Sequence, residues 1–181
     1  MSQENVIPFQ SAVDDIRAII LQGRNTAYQA VNAAQVLMNW NIGKRIVQQE
    51  QNGAGRAEYG KQLLIGLSGE LTREFGTGFS ERQLRYYRQF YLYFPDSEIW
   101  NACVPNLSWT HFRYLLRVPD ENARYWYLRE AAAQGWSART LDRNISTQYY
   151  NRLLMAPRKE PVIAEMKNKT NDFQQNKYEL I

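Results

Sequence analysis

The chain has 181 residues, of which 44% are apolar, 22% charged and 13% aromatic. These values exclude a disordered chain, a collagen-like repeat and a disulfide scaffold, and a chain this long buries a sizeable core without staples. The net charge of +4, with 16 Arg against 6 Lys, permits a polyanionic partner without demanding one.

The N-terminus, Met1-Ser2-Gln3-Glu4-Asn5, has neither the basic start nor the apolar run of a signal peptide. Helical spacing recurs almost throughout and no segment sustains period-2 alternation, so the predicted fold is all-α. A first helix is expected from about Pro8 to Gln22, with Val13, Ile16, Ile19 and Ile20 as its apolar stripe. A second, long helix is expected over 24–51. It has two apolar faces, one through Ala27, Val31, Ala34, Met38 and Ile42, the other through Ala30, Ala33, Leu37 and Trp40. Two such faces ask for two neighbours, or for one neighbour and a second subunit. Residues 25–43 carry no charge, but Asn25, Gln29, Asn32, Gln35 and Asn39 put a polar stripe along this helix that a lipid-spanning segment would not tolerate. The expected location is the cytoplasm.

Asn52-Gly53-Ala54-Gly55 ends the long helix. A helix over 57–75 with Leu63, Leu64, Leu67 and Leu71 buried comes next, then a turn at Gly76-Thr77-Gly78, a helix over 80–94, and a loop over 95–107. Helices over 109–117, 119–134 and 137–147 complete the set, with 149–155 extending the last. After Pro157 the composition turns charged, and 157–181 reads as a linker; the end at Tyr178-Glu179-Leu180-Ile181 reads as cut off, with more protein beyond. The helical domain is therefore bounded at 1–156.

One pattern occurs twice. Gly78-Phe79-Ser80-Glu81-Arg82-Gln83-Leu84 and Gly135-Trp136-Ser137-Ala138-Arg139-Thr140-Leu141 both read Gly-aromatic-Ser-x-Arg-x-Leu. Each serine is a candidate N-cap, Gln83 completes a capping box with Ser80, and Phe79/Leu84 and Trp136/Leu141 have the spacing of a hydrophobic staple. A helix, a tight glycine turn and a capped helix make a helix-turn-helix layout, giving two units at about 57–94 and 119–147. On the first, Arg82, Arg85, Arg88 and Gln89 lie mostly off the apolar stripe, with Tyr86 between them. They are candidates for phosphate and base-edge contacts, assisted by Gln83, and the helix start at Ser80 is a candidate phosphate seat. The second unit offers Arg139, Arg143 and Asn144.

Longer stretches carry a resemblance: Ala27-Tyr28-Gln29-Ala30-Val31-Asn32, Trp40-Asn41-Ile42-Gly43-Lys44-Arg45-Ile46-Val47, Ala57-Glu58-Tyr59-Gly60-Lys61, Phe75-Gly76-Thr77-Gly78-Phe79-Ser80, Leu107-Ser108-Trp109-Thr110-His111, Gly135-Trp136-Ser137 and Tyr149-Tyr150-Asn151-Arg152-Leu153. Over residues 6–156 the chain resembles the N-terminal domain, long labelled a domain of unknown function, of the YhcG-type bacterial PD-(D/E)xK nucleases. The resemblance implies an all-helical module that binds DNA through a helix-turn-helix, ahead of a C-terminal nuclease domain that holds a divalent metal and that this chain lacks. Repair, recombination and defence against foreign DNA are all open as the setting, and the resemblance implies no catalytic residue, metal ligand or cofactor in this chain. The rival role is a protein-interaction domain, with homodimerisation through helix 24–51.

Other residues have plainer readings. The single histidine, His111, suits a surface or capping role, and the single cysteine, Cys103, a free thiol in a loop. Trp109, Trp126 and Trp136 are expected in the core. Pro119-Asp120 with Glu165-Met166-Lys167 spells a nuclease motif. Its parts fall at a helix start and in a linker or short helix, where no sheet brings them onto one metal.

Overall fold

The computed structural model of the chain describes residues 9–51 and 56–175. Among the described residues are nine α-helices and two single 3-10 turns, with no strand, and the fold is all-α as expected. The readings at Met1–Asn5, Pro8, Asn52–Gly55 and Tyr178–Ile181 lie outside the described residues. No described helix is long and apolar enough to cross a membrane.

The two helices expected over 8–22 and 24–51 are one, α1 (Phe9–Gln51). Gly23 sits inside it. A mid-helix glycine costs about 1 kcal/mol relative to alanine, but without a cap or a proline it does not end a helix. At about 1.5 Å per residue α1 is ~64 Å long. After it come α2 (Arg56–Phe75), a 3-10 turn at Thr77–Phe79, and α3 (Glu81–Tyr93). The segment expected as loop 95–107 holds α4 (Ser97–Asn101) and a 3-10 turn at Val104–Asn106; Asp96 caps α4 by accepting from the Glu98 amide at 2.9 Å. Next are α5 (Trp109–Leu115), α6 (Glu121–Ala133) and α7 (Ala138–Ser146). Gln148, at φ 51°, breaks the chain before α8 (Tyr149–Met155), so that segment is a separate helix and not an extension. The presumed linker holds α9 (Glu160–Gln175), which packs on α7 and α8 and buries Met166 and Thr170. The helical fold thus runs past residue 156.

The framework is the antiparallel packing of α1 on α3. Gly43 is buried where the two backbones meet: a Cβ there would lie 1.9 Å from the Tyr87 carbonyl oxygen. On one side of this contact the Trp40 indole N–H donates to the Phe94 carbonyl at 2.8 Å; on the other the Arg88 guanidinium meets the Glu50 carboxylate at 2.7 Å. A small core of Ile46, Leu64, Leu84 and Tyr87 joins α1, α2 and α3. The larger core gathers Phe90, Phe94, Trp100 and Phe112, whose rings meet edge-on or tilted, and extends through Leu128 and Leu141 to Trp136.

His111 ties two parts of this core together. Its Nδ1 accepts from the Ser108 amide at 3.0 Å, so the proton sits on Nε2, which donates to the Trp136 carbonyl at 3.0 Å. The residue caps α5, as one of its readings had it, but it is buried and not on the surface.

Gly43→Ala should therefore lower stability by about 2–4 kcal/mol, because the Cβ meets backbone and not a movable side chain; urea unfolding followed by far-UV circular dichroism measures it. His111→Ala should cost about 2–3 kcal/mol, since it leaves a buried carbonyl and an amide without partners. A loss below 1 kcal/mol in the same assay would contradict the bridging role.

Candidate nucleic-acid interface

The two repeated motifs build two helix starts of different quality. In the second, Gly135 adopts φ 61° and the Trp136 amide donates back to the Ala131 carbonyl at 3.0 Å, which closes α6 in a Schellman arrangement. Ser137 then caps α7, its Oγ accepting from the Thr140 amide at 3.0 Å, while Trp136 and Leu141 are fully buried. In the first, Gly76 adopts φ 87° and the Tyr87 hydroxyl donates to the Gly78 carbonyl at 3.0 Å, pinning the turn to α3. Phe79 packs on the Leu84 cluster. Ser80 occupies the N-cap position without a side-chain cap bond, and Gln83 Oε1 is buried without a partner. The expected capping box does not form.

Along α3 the candidate residues part company. Arg82 and Arg85 are exposed, and Arg85 pairs with Glu81 one turn back. Arg88 is engaged by Glu50, whose side chain is only 13% exposed, and Gln89 donates to the Leu116 carbonyl at 3.1 Å. These last two residues hold α3 to α1 and to the end of α5.

Beside them is a residue that the sequence reading passed over. Arg113 of α5 places its guanidinium 4.6 Å from the Tyr86 ring centre, and Arg82 lies 5.9 Å from the same ring. Hydrogen bonds from Arg82 and then Arg113 hold the Tyr86 phenol below its ordinary range. Two cations thus share one aromatic ring across two helices. Arg113 on α5 and Arg117 in the turn just past it are four residues apart, and that spacing was the signal available in the sequence. Arg117 stacks at 5.6 Å on Tyr114 and pairs with Asp142 of α7 at 2.8 Å. Contacts therefore run from α3 through α5 to α7, where Arg139 is exposed and Arg143 half-buried. Asn144 is fully buried, which removes it from any outer face of α7.

The parts of the nuclease-like motif have structural roles. Asp120 caps α6 by accepting from the Ala123 amide at 2.6 Å. Glu165 sits within α9, paired with Lys169 and Arg152, and these cations hold its carboxyl below the usual range. Among the described residues no group of three or more His, Cys, Asp or Glu side chains stands together as a metal site would require. Cys103 is buried, and burial pushes its thiol up, away from the reactive thiolate. A groove of about 660 Å³ opens between α6, α8 and α9, lined by Trp126, Tyr150, Lys159 and Lys167 among others.

Two comparisons place the chain among known proteins. The DUF1016 N-terminal domain matches residues 15–152. A protein of Escherichia coli (strain K12) named "Putative nuclease YhcG" is 31% identical over 195 aligned residues, which cover 91% of this chain and 52% of that protein. The chain thus spans about half the length of the curated relative it matches. No solved structure matches it significantly. The coverage of the family match, over most of the helical fold and both repeated motifs, shows that the chain belongs to the DUF1016 N-terminal domain family.

Proposed function

We propose that this chain is the DNA-binding module of a nuclease like its curated relative, and that it targets DNA without cutting it. Cleavage, and the divalent metal it requires, would belong to a C-terminal nuclease domain outside this chain. The observation that carries this reading is the cluster of Arg82, Tyr86 and Arg113, extended by Arg85. A guanidinium stacked on an aromatic ring is pre-oriented and loses little freedom on meeting a phosphate. The exposed Arg85–Glu81 pair is worth little by itself, so Arg85 can exchange its carboxylate for a phosphate. Ser80 makes no side-chain cap bond, which leaves first-turn amides of α3 available to an anion. Arg139 and Arg143 supply a second set of contacts from α7. Arg88 and Gln89 support the position of α3. The relative's name also favours a nucleic-acid partner.

A salt titration of duplex binding tests the reading. With about three to five phosphates neutralised, log affinity should fall against log salt with a slope of roughly −3 to −4. The triple variant Arg82→Ala/Arg85→Ala/Arg113→Ala should reduce the magnitude of that slope by about 2–3. No measurable affinity at low salt would overturn the proposal. Arg88→Ala should instead cost about 1–3 kcal/mol of stability by leaving the Glu50 carboxylate unpaired, with the slope unchanged.

A pH titration checks the cluster itself. The two guanidinium groups favour the phenolate, so Tyr86 should ionise below the usual tyrosine value of about 10. Ultraviolet difference titration against Tyr86→Phe reads this, and Arg82→Ala or Arg113→Ala should move the transition up.

A further inference from the structure

The N-terminal part of α1 is folded inside out. Asn25, Gln29 and Asn32 are partly buried and Asn39 is fully buried, whereas Ile16 is 56% exposed, Ile20 48% and Leu37 46%. The domain encloses Asn39, while most of the apolar stripe before Val36 stays bare, Val13 alone of its large residues being partly buried. The bare side has a heptad register. Counting Val13 as position a, every a and d position from 13 to 37 is aliphatic, alanine or glycine. The side chains buried against the domain from Val36 to Val47 occupy the remaining c, f and g positions, so the seam faces away from it.

The geometry points to a second copy of this chain as the occupant, with the two α1 helices antiparallel about a two-fold axis near residue 25. In that register Val13 lies opposite the other copy's Leu37, Ile16 opposite Ala34, Ile20 opposite Ala30, and Gly23 opposite Ala27. Val13 and Leu37 close each end, the next two layers each set an isoleucine on an alanine, and the centre is small against small, so the helices approach most closely at the axis. A parallel pair would set isoleucine on isoleucine in two adjacent layers and glycine or alanine on itself in the next four, a steeper change of spacing than the antiparallel register, which places each isoleucine on an alanine. The seam carries no charge at any a or d position. Phe9, 83% exposed, continues it opposite Asn41, beside Arg45 and the apolar groove of about 340 Å³ between Ile42, Ile46, Leu63 and Leu67. The overlap runs for about 36 Å and would cover on the order of 700 Å² per chain, close to the ~800 Å² of a standard interface. This surface lies N-terminal to most of the 24–51 face expected from sequence, whose C-terminal part is used by the domain.

The 181-residue protein should have the mass of a dimer by sedimentation equilibrium, at low and at high salt alike. Ile16→Glu/Ile20→Glu should weaken association by at least about 100-fold, with near-ultraviolet circular dichroism of the tryptophan core unchanged. Orientation is read by oxidation. Val13→Cys mixed with Leu37→Cys should form a cross-linked dimer, and Val13→Cys alone should not. A monomer at all concentrations would overturn the proposal and leave the seam to a different protein or domain. Cross-linking of Val13→Cys to itself would overturn the antiparallel register. Salt separates this outcome from the DNA reading, because DNA affinity falls with salt and apolar pairing does not.

Discussion

The close contact between α1 and α3 at Gly43 sets the rest of the molecule. Only hydrogen fits between the α1 backbone and the Tyr87 carbonyl, and that approach lets Trp40 reach the carbonyl of Phe94, the C-cap of α3, while Glu50 reaches Arg88. With three points fixed, α3 can neither slide nor rotate on α1. Tyr87 extends the constraint to the preceding turn through the Gly78 carbonyl. The directions of Arg82 and Tyr86 are thus decided by contacts on the other side of the helix.

His111 carries the same constraint to the second motif. One imidazole joins the start of α5 to the turn before α7, so the second repeated helix start is held to α5 through a hydrogen-bonded chain of Ser108, His111 and Trp136, and α5 is in turn held to α3 by Gln89 on the Leu116 carbonyl. Arg113 sits half a turn beyond His111 and inherits its position from it. A basic cluster carried on packed helices in this way keeps its spacing without a ligand, which reduces the ordering cost of binding a regular polyanion.

Helix identity was legible in the sequence wherever a proline, a capping residue or a positive-φ glycine punctuated the chain, as at Pro95, Asp120 and Gly135. It failed where punctuation was absent or misleading. Gly23 suggested a break, but helix cooperativity carried α1 through it. Pro157 and Pro161 suggested a linker, yet Pro161 falls in the first turn of α9, where proline is tolerated. The repeated Gly-aromatic-Ser-x-Arg-x-Leu motif located both helix starts. It could not say that Arg88 and Gln89 face the domain, because that depends on Glu50 and Leu116, which are distant in sequence. Arg113 escaped notice for the same reason: its partner Tyr86 lies on another helix.

The polarity of α1 bears on how DNA would be met. With the axis near residue 25, the two Gly43 crossings of a pair would stand about 54 Å apart along the helices, at 1.5 Å per residue. One turn of duplex is about 34–36 Å, and two-fold dimers that read one straight operator place their recognition helices one turn or a multiple of it apart. A separation near one and a half turns turns the second module toward the opposite side of the same duplex. Under the two proposals together, the long helix would suit two DNA segments, or one that bends or branches between the modules, better than a straight palindrome. In that proposed arrangement the apolar seam and the arginine cluster would divide the work: the seam would set the distance between modules, and the cluster would supply the attraction to each segment.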